Sequence, residues 1–216
     1  MPPIHCYVAG TRIANADKKL LRYLCNRQRT LAQFDGLAGT LPTITPALVS
    51  ATRVVNSRIT KQQESWLIGM GTQAPWGLVP PSADLVAADP AQPGGLYNSA
   101  LMLWNYFSHR TPSGVGTAKL SKVLYLMRPC MFPILDSRLS CVYRKAARAA
   151  AISVHAQGTN PQLAHFRYLY WAAIRQDLVA NATALAAIRR VIAQNQTYAV
   201  YAKQLSDLRL LDIVAW

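Results

Sequence analysis

Gly114-Val115-Gly116-Thr117-Ala118-Lys119-Leu120-Ser121-Lys122-Val123-Leu124-Tyr125-Leu126-Met127-Arg128-Pro129-Cys130-Met131-Phe132-Pro133-Ile134-Leu135-Asp136 is the run that decides how this chain folds. It opens on a Gly-x-Gly turn just after Pro112. A helix follows, with Leu120, Val123, Leu124 and Met127 on one face. The run closes on Asp136, at the head of a second helical pattern. A turn that feeds directly into a helix presents several backbone N–H groups, which can hold a phosphate without reading base sequence. Taken alone, the glycines fit an ordinary helix–helix turn equally well. Asp136 alone is equally a favoured N-cap.

Working outward, helical periodicity dominates. Leu20, Leu21 and Leu24 predict a first helix over Ala16–Gln28. Pro46, with Thr45 as cap, opens a second through Val55. Gln62–Met70 reads as a third. Gly71–Gly95 holds five prolines and reads as a long connection with one short helix at Ser82–Ala88. Leu96–His109, Thr117–Met127, Asp136–Val154, Pro161–Ala180, Thr183–Asn195 and Tyr198–Leu211 are each expected as continuous helices. No alternating run demands a strand, so the expectation is an all-α domain of about eight to ten helices.

The 216 residues are 51% hydrophobic, enough for a globular core. Against 9 acidic residues stand 23 Lys and Arg, a formal charge of +14. Such an excess, mostly Arg and spread along the chain, points to a polyanion, and nucleic acid is the commonest. A membrane anchor would gather its charge in one amphipathic segment or tail. The first residues carry no basic start followed by an apolar stretch, and no run is long enough to span a bilayer, so a cytoplasmic protein is expected. Cys6, Cys25, Cys130 and Cys141 are far apart and make no metal-ligand spacing, which points to free thiols and no bound metal. Nor is there a carboxylate cluster to hold magnesium, which disfavours a nuclease.

The hairpin Gly114-Val115-Gly116 followed by Phe132-Pro133-Ile134-Leu135-Asp136 resembles the core of the helix-hairpin-helix DNA glycosylase superfamily, closest in wording to its MutY, endonuclease III and oxoguanine glycosylase members. The interval from Gly114 to Asp136 matches that superfamily without a gap. The likeness is specific over about residues 112–140. The resemblance implies an all-α, glycosylase-like bundle with its active site in a cleft between two helical halves. It also implies one compact unit over residues 1–216, with a core at about 96–150 and closing helices at 151–216. The closing run Leu205–Trp216 resembles the end of an uncharacterised bacterial family and is expected to add no chemistry.

In that superfamily a base is extruded from duplex DNA and its N-glycosidic bond is cut. By resemblance Asp136 is the catalytic carboxylate, set beside the sugar cation that develops as the bond breaks. Some members carry a lysine nucleophile, whose position here falls on Ala118. Lys122, one turn later on the same face, is the candidate that remains, with a phosphate contact or a solvated side chain as its other readings. The implied enzyme is monofunctional, uses water, needs no cofactor and leaves an abasic site. Gly114, Val115, Gly116, Thr117 and Lys119 are expected on the DNA backbone, as are Arg144 and Arg148 on the helix after Asp136. Asn56 and Arg58 are candidate wedge or pocket residues, and Trp66, Trp104 and Tyr106 are candidate stacking groups. The expected partner is double-stranded DNA with one extruded base, bound by a monomer. The excised base is expected to be a damaged one or a hypermodified base of phage DNA. The alternative is a non-catalytic helix-hairpin-helix DNA-binding protein, which would not need Asp136 in a concavity.

Overall fold

A computed structural model describes residues 3–216. Residues 1–2, part of the opening read against a leader, lie outside it. Among the described residues the chain forms eleven α-helices and one two-stranded sheet. Strands β1 (Cys6–Val8) and β2 (Thr11–Ile13) lead into α1 (Ala16–Asn26), α2 (Gln28–Gln33), α3 (Pro46–Val54) and α4 (Lys61–Gln73). Next come α5 (Leu96–Ser108), α6 (Thr117–Met127) and α7 (Ser137–Gln157). The chain closes with α8 (Tyr170–Ala180), α9 (Ala182–Gln194), α10 (Tyr201–Gln204) and α11 (Asp207–Ala215). Short 3-10 turns sit at Asp35–Leu37, Trp76–Leu78, Leu85–Ala87 and Pro161–Leu163.

Local chemistry sets most helix starts. Thr45 accepts from the Leu48 amide at 3.2 Å and Pro46 follows it, as its sequence predicts. Thr60 and Gln63 form a reciprocal capping box at the head of α4. Asp136 caps α7, its Oδ1 accepting from the Leu139 amide at 2.8 Å.

The departures have tertiary causes. The antiparallel hairpin of β1 and β2 is the first, against an expectation of no strands. Ala9 and Gly10 both have positive φ, 50° and 81°, the turn that joins tightly paired strands. Partners far along the chain hold it: Asp177 accepts from the Ala9 amide at 2.6 Å, and Asn181 exchanges two 2.7 Å bonds with the Tyr7 backbone. The stretch expected as one helix over Pro161–Ala180 breaks into a 3-10 turn, a loop and α8. There the Leu169 amide bonds the Ala147 carbonyl of α7 instead of its own helix. The expected Tyr198–Leu211 helix also breaks, because Ser206 starts α11 anew. Its Oγ accepts from the Arg209 amide at 3.1 Å and donates to the Pro129 carbonyl at 2.9 Å. At the N-terminal side, α1 stops at Asn26 and a separate α2 begins. The Gly71–Gly95 connection contains two 3-10 turns where one short helix was expected.

One continuous cluster of buried side chains runs from Cys6 to Val214. At its centre lies α6, whose residues from Leu120 to Met127 are all buried. Its sequence shows one apolar face, but the fold covers the other as well. Its polar groups are therefore partnered: Ser121 Oγ accepts from the Leu135 amide at 3.0 Å, and Tyr125 donates to Asp35 at 3.0 Å. Arg209 of α11, also buried, donates to Asp35 from Nε at 2.8 Å and to Tyr23 at 2.8 Å, and pairs with Asp212.

Removing Asp35 leaves a buried guanidinium short of charge and a buried phenol short of an acceptor. Asp35→Ala is expected to cost on the order of 3–5 kcal/mol, read as a shift in the denaturant midpoint by circular dichroism. A loss below about 1 kcal/mol would show that the network is dispensable.

Candidate functional site

The hairpin is built from both ends. Gly114 has φ +80°, and a Cβ there would come within 3.0 Å of Gln63 Nε2. That amide donates to the Ser113 carbonyl at 3.0 Å, so the start of α4 buttresses the turn. Val115 is buried beneath it. Gly116 is the N-cap residue of α6, and no side chain caps it. Its neighbourhood is open, with no atom within 4 Å of an added Cβ. The first N–H groups of α6, at exposed Thr117 and half-buried Ala118, have no intrahelical partners. Lys119 donates to Gln63 Oε1 at 2.9 Å, which ties this residue, expected on phosphate, to the hairpin's own support.

After α6 the chain makes a turn at Pro129–Met131, and from Phe132 to Asp136 it runs without helix or turn, its side chains alternating between two cavities. Ile134 and Asp136 face one cavity, and Leu135 faces another. The Ser121–Leu135 bond fixes this alternation across α6.

The cavity beside Asp136 is small, about 90 Å³. Lys122 of α6, Asn56 beyond the end of α3, Tyr23 of α1 and Arg27 just after it, and Arg209 and Trp216 share it. Lys122 is 7% exposed, and its Nζ donates to the Val55 carbonyl at 2.7 Å. Burial pushes its pKa down, against the pull of the Asp136 and Asp212 charges. It is therefore neither a solvated lysine nor a surface phosphate contact. Asn56 sits in the left-handed region at φ 62° and is exposed at the rim. Asp136 is half-buried. Its Oδ1 serves the helix cap, while Oδ2 accepts from Trp216 Nε1 at 3.3 Å. Arg138 stacks on the other side of that indole, 4.8 Å from the ring centroid. A wider groove of about 790 Å³ between α2 and α3, bearing Arg29 and Arg53, meets this cavity at Val54 and Asn56.

The other candidate residues lie elsewhere. Arg58 is exposed in the loop between α3 and α4 and lines neither the cavity nor the groove. Trp66 packs half-buried against the core. Tyr106 packs on Phe107 and donates to the Met70 carbonyl at 3.4 Å. Trp104 lines a second, larger cavity with Trp171, Tyr168 and Tyr170. Arg144 and Arg148 are exposed on α7, with Arg144 over the Tyr168 ring at 5.9 Å. Tyr23, Arg27, Arg209 and Trp216 are lining residues that sequence reasoning missed, the last two in a closing run expected to be inert. For Arg209 a signal existed, a lone guanidinium inside an apolar run with Asp212 three residues on. For Trp216 there was none.

Among the described residues, carboxylates pair with only Arg53, Lys61, Arg189 and Arg209, so most of the positive charge is uncompensated. No described group of three His, Cys, Asp or Glu side chains could hold a metal, and no described helix is long and apolar enough to cross a membrane. The chain belongs to a family of unknown function (DUF6308), whose model matches residues 16–216. No curated protein and no solved structure matches it.

Because Oδ1 does the capping, Asp136→Ala is expected to destabilise the fold by about 1 kcal/mol, and Asp136→Asn by only a few tenths. Thermal or denaturant unfolding of both variants checks this. Equal losses for the two would mean that the charge, and not the cap, holds α7.

Proposed function

We propose that this protein is a DNA N-glycosylase of the helix-hairpin-helix type, with Asp136 as its catalytic carboxylate. One observation supports this reading above the rest. Asp136 and Lys122 of the glycine-to-aspartate run and Asn56 from a distant segment, all singled out by resemblance, line a single cavity. The open hairpin at Gly114–Gly116 and the uncompensated basic surface are consistent with it.

In the proposed reaction the C1′–N bond breaks and its electron pair leaves with the base. The positive charge left on the sugar is stabilised by the Asp136 carboxylate, which also accepts a proton from the water that adds to C1′. Ala118 cannot act as a nucleophile, so the reaction ends at an abasic site. Lys122, held by the Val55 carbonyl, supplies a buried donor on the base side of the cavity. An apolar cavity that takes up benzene measures about 150 Å³, and a nucleobase is larger than benzene, so base entry into about 90 Å³ requires the rim to give way. Trp216 and Asn56, both exposed, are the side chains free to do so.

A specific observation favours a second reading, a non-catalytic DNA-binding module. Both Asp136 oxygens already have partners in the protein, and the cavity as it stands is narrow.

The experiment is a panel of duplexes and phage DNAs carrying damaged or hypermodified bases, scored for abasic sites after mild alkali. On a cleaved substrate, Asp136→Asn is expected to keep DNA binding and lose excision by about a hundredfold or more. Full activity in that variant overturns the glycosylase reading, and a panel without any excision but with tight binding selects the module. Borohydride is expected to trap no covalent adduct. An adduct that disappears in Lys122→Ala would make Lys122 a nucleophile.

DNA affinity is expected to fall about tenfold or more between 50 and 200 mM salt. An affinity indifferent to salt would exclude phosphate contacts as its source.

A further inference from the structure

The larger cavity has no part in the Asp136 chemistry. It encloses about 390 Å³ between α5, the head of α6, the start of α7 and the segment leading into α8. That volume falls within the range of small-ligand sites, about 300–1,000 Å³. Aromatic rings make up much of its wall. Trp104 meets Trp171 edge to face at 5.6 Å, and Tyr97 meets the same indole at 5.9 Å. Tyr168 and Tyr170 lie nearly parallel, 29° apart with centroids at 5.9 Å. Polar groups are few: Asn105, Thr117, Ser140 and the tyrosine hydroxyls.

Guanidiniums gather just outside this wall, on the Tyr168 ring. Arg144 lies 5.9 Å and Arg167 5.4 Å from the Tyr168 centroid. Interaction with Arg144, together with the charges of Arg167 and Arg148, draws the Tyr168 phenol below its ordinary pKa. No ion pair among the described residues involves any of these three arginines. Thr117, the first residue of α6, also lines the cavity. An apolar aromatic interior bordered by unpaired guanidiniums matches one kind of ligand, a flat ring joined to a phosphate.

We propose that this cavity is a nucleotide-binding site, taking a nucleobase against Trp104, Tyr168 and Tyr170 and its phosphate on Arg144, Arg148 and Arg167. The site is separate from the Asp136 cavity, so it stands or falls independently of glycosylase activity. The ligand is either a free nucleotide or an unpaired nucleotide of a strand crossing the hairpin, since both present the same chemistry.

Two of the five tryptophans line the site, so tryptophan fluorescence reports on it. The full chain is titrated with deoxyadenosine monophosphate, with a short oligodeoxyadenylate, and with deoxyribose 5-phosphate as a probe lacking the base. Saturable quenching is expected with one or both adenine probes and not with the sugar phosphate. Saturation by the mononucleotide assigns a free ligand, and saturation by the oligomer alone assigns a strand. Trp104→Leu is expected to remove most of the quench and weaken binding about tenfold. The exposed pair Arg144→Ser and Arg167→Ser, both over the Tyr168 ring, is expected to weaken it by a similar factor. The proposal is overturned if neither adenine probe quenches up to millimolar concentration. Binding that ignores both the tryptophan and the arginine variants overturns it as well.

Discussion

Arg209 sits where four separate parts of the chain meet. Its guanidinium is bonded to Asp35 in the turn after α2, to Tyr23 of α1 and to Asp212 on its own helix. The rings of Tyr23, Phe34 and Tyr125 surround it at 5.7–5.8 Å. A buried guanidinium is tolerable only when its donors are satisfied, so each partner must arrive in register. Burial raises Asp212 to about 6, while the pull of Arg209 opposes that rise. The arrangement fixes α11 against α1 and α6 far more narrowly than apolar contact alone could, because leucines slide and forked hydrogen bonds do not.

That register has consequences at the surface. Arg209 forms part of the wall of the Asp136 cavity, and Trp216, at the far end of the same helix, reaches the Asp136 carboxylate. The cavity therefore has a rigid base, held by buried ion pairs, and a rim of exposed side chains. Lys122 belongs to the base: the Val55 carbonyl and the core fix it, so its ammonium cannot swing out to solvent.

The five residues before α7 run between two of the molecule's concavities. Extended backbone turns neighbouring side chains to opposite sides, so Asp136 serves one cavity and Leu135 the other. The two differ in character. One is small, with a carboxylate, a lysine and two arginines lining it. The other is larger and aromatic, with its charge kept to the border. A protein with so few carboxylates and so many arginines presents nearly all of its polar chemistry to anions, and the two cavities offer an anionic ligand different grips.

The sequence by itself determined what depends on near neighbours along the chain. Helical periodicity, the Thr45–Pro46 start, the glycine hairpin, the cap at Asp136 and the +14 charge are all local or additive, and each could be read directly. It also singled out Asp136, Lys122 and Asn56, through a motif and its surroundings. Only the tertiary structure decided what depends on distant partners. The β-hairpin exists because Asp177 and Asn181 receive it, and α8 begins late because Ala147 takes the Leu169 amide. Trp66 and Tyr106 went to the core, and Trp104 to the other cavity, since an aromatic ring carries no sequence mark of which side it will face. Trp216 came to Asp136 for the same reason: periodicity places a residue on a helix face, but only packing brings that face to another segment.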